Sequence, residues 1–158
     1  MKHLSGRVLD VGCGIGDMLR FRPNTVGVDI NPETVAWCRQ QGLDVHHMEK
    51  NRLPFDAGTF DGLILDNVLE HITVPQPLLA EASRVLKPFG RLVAGVPGLK
   101  GYRSDPDHKV YYNEAGLISL MLGNGFECQI IRPMPLRLAG LFSGIRQYCI
   151  YGVFEKKS

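Results

Sequence analysis

Cysteine is sparse and unpatterned: Cys13, Cys38, Cys128 and Cys149 form no C-x-x-C pair, and no histidine stands at zinc-ligand spacing from them. That excludes a disulfide framework and leads us to expect a reducing compartment and no metal centre. Charge of one sign is lacking too. Eighteen Lys and Arg against 16 Asp and Glu leave a net +2, and the longest run of like charge is Lys156-Lys157, so no nucleic-acid partner is implied. No apolar run approaches membrane-spanning length, which excludes membrane insertion by a helix. Met1 leads directly into a predicted strand without the charged lead and apolar stretch of a secretory signal, so a cytoplasmic location is expected.

What is present is ordinary globular composition, 44% apolar and 22% charged, in a chain of 158 residues. This length accommodates one continuous core and one site, so residues 1–158 are expected to form a single domain. Alternation of apolar runs with helical periods predicts strands at 7–11, 25–29, 43–48, 60–65, 91–96, 126–132 and 147–154, with helices between most of the early ones. The pattern is that of a mostly parallel α/β sheet of seven strands, helices on both faces. Asn31 suits a helix N-cap, Pro32 the first helical position and Gly42 the position just past the end. Leu78, Leu79, Ala82, Val85 and Leu86 mark one buried helical face that Pro88 and Gly90 terminate. Residues 133–146 hold no obvious crossover helix, so the last strand is expected to run antiparallel and complete the sheet edge.

The first strand delivers Asp10 into Gly12-Cys13-Gly14-Ile15-Gly16, followed by Asp17. Glycines at this spacing let backbone approach a ligand closely. A dinucleotide loop has glycine where Asp17 stands, and the interval from Gly12 to Asp29 is shorter than such loops use. A nicotinamide-dependent oxidoreductase is therefore disfavoured, and a smaller anionic group such as an amino-acid carboxylate suits the loop better. Polar residues recur at the carboxyl ends of the strands, where open parallel sheets bind ligands: Asp29 after the second, Glu49 after the third, Asp66 and Asn67 after the fourth. Asp29 can accept from a vicinal ribose diol, Ile30 can lie beside an adenine ring, and Glu49 can accept from an exocyclic amine. His71 and His108 are candidate bases, since an imidazole titrates near neutrality. Tyr111 or Tyr112 is expected to pack into the core, and His46 and His47 point to opposite faces with no assigned function.

The segments VLDVGCGIGD, GVDINPE, EKNRLPFDAGTFD, LDNVLEH and RVLKPFGRLVAGVP stand in the order and spacing of class I S-adenosylmethionine-dependent methyltransferases, and the chain most resembles the methyltransferase type 11 group. The resemblance covers residues 7 to 97 strongly and the remainder weakly. It implies a Rossmann-like fold with S-adenosylmethionine as cofactor and S-adenosylhomocysteine as product. It implies that Asp10, Gly12 and Gly14 hold the methionyl part, with Cys13 in the same loop, Asp29 the ribose and Ile30 the adenine face. Glu49 takes the adenine amine beside the Lys50 backbone, and Asp66 and Asn67 border the sulfonium. A small-molecule or glycan-type acceptor is expected; the alternative is a regulatory or partner-dependent module that binds the cofactor without independent catalysis. With only six residues before the first predicted strand, a domain without the N-terminal cap common in such enzymes is expected, and a second copy of the chain is one candidate cover for the open cofactor site.

Overall fold

The computed structural model describes residues 3–134 and 149–157. The chain runs β1 (Val8–Val11), α1 (Asp17–Phe21), β2 (Thr25–Asp29), α2 (Pro32–Gln40), β3 (Val45–His47) and β4 (Phe60–Asp66). It continues through a 3₁₀ turn at Leu69–His71 into α3 (Gln76–Val85), β5 (Leu86–Pro97), α4 (Leu99–Ser104), α5 (Glu114–Gly123), β6 (Phe126–Met134) and β7 (Cys149–Lys156). The seven strands form one sheet in the order β3-β2-β1-β4-β5-β7-β6. β1 to β5 are mutually parallel, and β7 runs antiparallel to both neighbours.

Strand order reverses between β1 and β4, because the chain builds outward through β2 and β3 before returning to β4 on the other side of β1. Asp10 lies at that seam, paired with Gly27 of β2 on one side and Ile64 of β4 on the other. All four residues of β1 are buried, as are residues 62–65 of β4, so the seam is the centre of the core. Leu78, Leu79, Ala82 and Val85 of α3 join Leu117 and Met121 of α5 on one face of the sheet. Val35 and Cys38 of α2 pack with Cys13 and Val45 in a separate cluster. The cap on α2 is as its sequence dictates: Asn31 Oδ1 accepts from the N–H groups of Glu33 and Thr34, and Gly42 has φ of 75° just past the end.

Two expectations need correction. β7 does not complete the edge; it inserts between β5 and β6, pairing with β5 from Arg91 to Pro97, and β6 is the edge strand. Leu86 is buried but is not helical. It begins β5 opposite Phe60, because Pro88 cannot donate to the helix ladder and pushes the preceding residue toward extended backbone. The α4 helix and the 3₁₀ turn carry too few residues to show a period and had no sequence signature. The connection expected at 133–146 and the start of the strand expected at 147 lie largely outside the described residues. Among those described, no helix is long and apolar enough to cross a membrane.

Candidate active site

The glycine loop is held on the end of β2. The N–H groups of Gly12 and Cys13 both donate to the Val28 carbonyl, at 2.8 and 3.0 Å. Gly12 has φ of 71°, and a Cβ there would come within 2.9 Å of the Val68 side chain; Gly14 has φ of 50°, and a Cβ there would project into open space. So Gly12 is required by packing against the β4 side, and Gly14 leaves its backbone bare toward whatever occupies that space.

Asp29 is the anchor that the sequence understated. Its Oδ2 accepts from the Gly14 N–H at 3.0 Å and its Oδ1 from the Asn31 N–H at 2.9 Å, tying the glycine loop to the start of α2. Beside it opens a cavity of about 1090 Å³ at the carboxyl ends of β1 to β4. Gly12, Asp29 and Ile30 form one side of it, Glu49 and Lys50 another, and Asn67 and His71 the far side. Ile30 is 64% exposed, its carbonyl held by His47 Nε2 at 3.1 Å, so His47, given no role from the sequence, steadies this wall. The segment from Ile72 to Val74, with Pro77 and Leu78, closes the cavity over an apolar surface. A second hollow of about 740 Å³ lies at the opposite end of the strands, lined by Arg7, Thr59 and the Glu81–Arg84 ion pair that braces residues 53–55.

Asp10, Cys13, Gly14 and Asp66 do not line the cavity but flank the same strand ends. Burial, and then the charges of Asp66 and Asp29, push the Asp10 carboxyl up to about 7. Burial also raises Asp66, opposed by a hydrogen bond from the Tyr151 hydroxyl at 3.3 Å. Asn67, at φ of 55°, donates its N–H to the Gly95 carbonyl and its side-chain amide to Asp66 Oδ1. Three carboxylates thus crowd one strand edge, a field that favours a cationic ligand group. Cys13 is no nucleophile, since burial, Asp10 and Asp29 push its thiol up to about 12.

Past Asn67 the 3₁₀ turn places Glu70 inside and His71 outside. Glu70 is fully buried, and neither of its carboxylate oxygens has a hydrogen-bond partner among the described residues. The Glu70 carbonyl accepts from the N–H groups of Lys109 and Val110 at 2.7 and 3.0 Å, which draws the loop after α4 over the turn. His108 on that loop brings its ring to 4.8 Å from that of His71, with Tyr102 stacked on its other side. Two candidate bases 37 positions apart therefore meet, and Glu70 joins them as one cluster. Its only sequence signal was an acid beside a histidine just after a strand, so spacing alone concealed it. Tyr112 is buried in the core, as expected for one of the two tyrosines, while Tyr111 is the more exposed and lies against Tyr102.

The methyltransferase domain family matches residues 9–94. An uncharacterized protein of Methanocaldococcus jannaschii is 29% identical over 124 residues, 75% of this chain and 60% of that protein. The ubiquinone biosynthesis O-methyltransferase of Xanthomonas oryzae is 33% identical over 97 residues, 54% of this chain but only 41% of that enzyme. The crystal structure of an S-adenosylmethionine-dependent methyltransferase from Methanosarcina mazei superposes with a TM-score of 0.77 at 21% identity, covering 99% of this chain and 95% of that one, a likeness of fold.

Proposed function

This chain belongs to the class I S-adenosylmethionine-dependent methyltransferases, and from that membership we propose that residues 1–158 act as one domain transferring the cofactor's methyl group to a small-molecule or glycan-type acceptor. The observation that carries this reading is the crowding of Asp10, Asp29 and Asp66 beside a cavity walled by Ile30, Glu49 and Asn67. When bound, S-adenosylmethionine supplies a methyl group on a cationic sulfur that departs as a neutral thioether.

The residues present fit such a ligand. Gly14 leaves open space where a side chain would intrude. Asp29 spends one acceptor site of each oxygen on a backbone N–H, and a carboxylate has about four, which leaves capacity for two ribose hydroxyls. Ile30 offers an apolar face for the adenine, Glu49 and Lys50 border its amine, and the buried Asp10 with Asp66 balances the positive methionyl end. The Cys13 backbone belongs to this cradle.

His71 stands on the cavity wall on the acceptor side, with His108 behind it. Each points Nδ1 at a backbone carbonyl, and of the two candidate bases only His71 lines the cavity, so its Nε2 is the nitrogen we assign to the acceptor's proton. Alignment of the two reactants matters more than a base: positioning is worth roughly 7–11 kcal/mol of barrier, against 10²–10⁴-fold in rate for proton removal.

Calorimetry with S-adenosylmethionine and S-adenosylhomocysteine tests the premise, and both are expected to bind. Asp29→Ala should weaken binding by about 1–3 kcal/mol, because the ribose loses a charged acceptor and Gly14 loses its tether. No heat with either compound, or an unchanged affinity in the variant, overturns the assignment. Release of S-adenosylhomocysteine with phenolic, carboxylic and glycan acceptors then identifies the acceptor class, and failure with all of these would exclude the acceptor proposal.

A further inference from the structure

We propose that Glu70, His71 and His108 form a divalent metal site on the acceptor side of the cavity, one that takes a transition ion such as Zn²⁺ and leaves coordination positions open to an oxygen of the acceptor.

A carboxylate with no exposure and no partner is costly, and native structures rarely leave one so. Glu70 is fully buried and neither oxygen has a hydrogen-bond partner among the described residues, so its ionised form needs a positive charge beside it. The two histidines are oriented to supply neutral donors to that charge. His108 Nδ1 lies 2.9 Å from the Tyr102 carbonyl and His71 Nδ1 lies 3.3 Å from the Asp107 carbonyl. A carbonyl only accepts, so in both rings Nδ1 carries a hydrogen, and in the neutral form Nε2 presents a lone pair. This is the outer-shell arrangement that fixes the tautomer of metal-bound imidazoles.

The spacing suits an ion better than a hydrogen bond. His108 Nε2 is 3.9 Å from Glu70 Oε1, too far for a hydrogen bond and within the reach of two ligands each about 2.0–2.1 Å from one ion. One donor atom from each of the three residues falls within 4.8 Å of the others, a spacing that a bound ion would draw in by about half an ångström, and His71 is the exposed member of the set. Asp105 Oδ2, 3.8 Å from the same His108 nitrogen, adds a further oxygen at the rim. The cluster is also built rigidly on its other sides. The two N–H groups of Lys109 and Val110 pin the loop to the Glu70 carbonyl, and Tyr102 stacks on His108 with its ring centroid 5.7 Å away.

Two imidazoles and one carboxylate are donors for Zn²⁺, Co²⁺, Fe²⁺ or Ni²⁺, whereas Mg²⁺ and Ca²⁺ prefer oxygen throughout. Three protein ligands leave at least one position open. Because His71 lines the cavity, that position faces the acceptor, and a hydroxyl-bearing acceptor is the class it would orient. This last step rests on the methyl-transfer reading; the metal site itself does not, and with the ion bound both imidazoles are ligands and neither serves as a base.

The experiment uses the full chain, stripped with a chelator and titrated with Co²⁺ while visible absorption and metal content are followed. We expect one Co²⁺ per chain with ligand-field bands in the visible, displaced by Zn²⁺ and not by Mg²⁺, and affinity lower by about tenfold or more in Glu70→Gln and in His71→Ala. His71 is exposed, so its replacement leaves the core intact and tests the site even where the buried Glu70 variant fails to fold. Substoichiometric cobalt in the parent chain, unchanged binding in His71→Ala, or displacement by Mg²⁺ as readily as by Zn²⁺ would overturn the proposal. Calorimetry with S-adenosylhomocysteine on the stripped protein separates the two readings. Metal binding without any nucleoside binding removes the methyl-transfer reading and leaves the metal site standing.

Discussion

Asp10 shows what a single side chain does in this protein. It is a carboxyl that water barely reaches, held up to about 7 by its burial and by Asp66 and Asp29. In the unfolded chain it titrates near 3.8, so between about pH 4 and pH 7 the folded state holds a proton that the unfolded state has lost. Stability from this residue therefore falls as pH rises through that window, by on the order of 4 kcal/mol in all, and is level above it. Asp10→Asn should flatten the decline and raise the melting temperature at pH 8, measured by thermal unfolding across pH without ligand. A parent and variant with parallel pH curves would sink this account. The same residue explains the direction of linkage on binding. A cation beside Asp10 restores its charge, so cofactor binding at pH 6 should release protons and at pH 9 should release none, read as buffer-dependent heat. The acid itself was legible in the sequence, because it ends a strand that runs into a glycine loop. Its burial was not, since nothing local says that two other carboxylates approach it.

At the scale of elements, the ends are where sequence and structure agree best. Asn31, Pro32 and Gly42 delimit α2 in the predicted positions, because caps are local chemistry: an amide oxygen reaches N–H groups two and three residues on, and a glycine accepts a left-handed backbone. Asn31→Ala should cost about 0.5–2 kcal/mol of unfolding free energy, and Asn31→Ser much less, by denaturant titration. Equal loss in both would mean that the cap contributes through something other than its acceptor oxygen. The α2 start is also tied to the proposed cofactor site, since Asp29 binds the Asn31 N–H with one oxygen and the glycine loop with the other. A loosened α2 should therefore weaken the cofactor site as well as the fold. The 3₁₀ turn at Leu69–His71 stands at the opposite extreme. It has three residues and no period, and its importance comes from the distant loop that docks on it.

Across the whole molecule, the reversal of strand order at β1 and β4 puts the most buried strands under the site and leaves β3 and β6 at the edges. Amides of Leu9 and of residues 63–65 should exchange most slowly with solvent and those of Val45–His47 much faster, because the centre opens only with global unfolding and a short edge strand opens locally. Native-state hydrogen exchange checks this, and uniform rates across the sheet would contradict it. The arrangement has a functional reason. The central strands hold Asp10 and Asp66 against mutual repulsion, while the cavity is walled by the carboxyl ends of β1 to β4 and by the segment after the 3₁₀ turn.

By itself the sequence determined the parallel α/β class and the polar residues gathered at the carboxyl ends of its strands, because alternating periods, caps and a glycine loop are written in neighbouring positions. Only the tertiary structure decided that β7 slots inside β6, that Asp29 anchors the loop, and that Glu70, His71 and His108 become one cluster. These depend on backbone hydrogen bonds and buried charge between segments far apart in the chain, and no local pattern records which distant groups a folded sheet will bring within 4 Å.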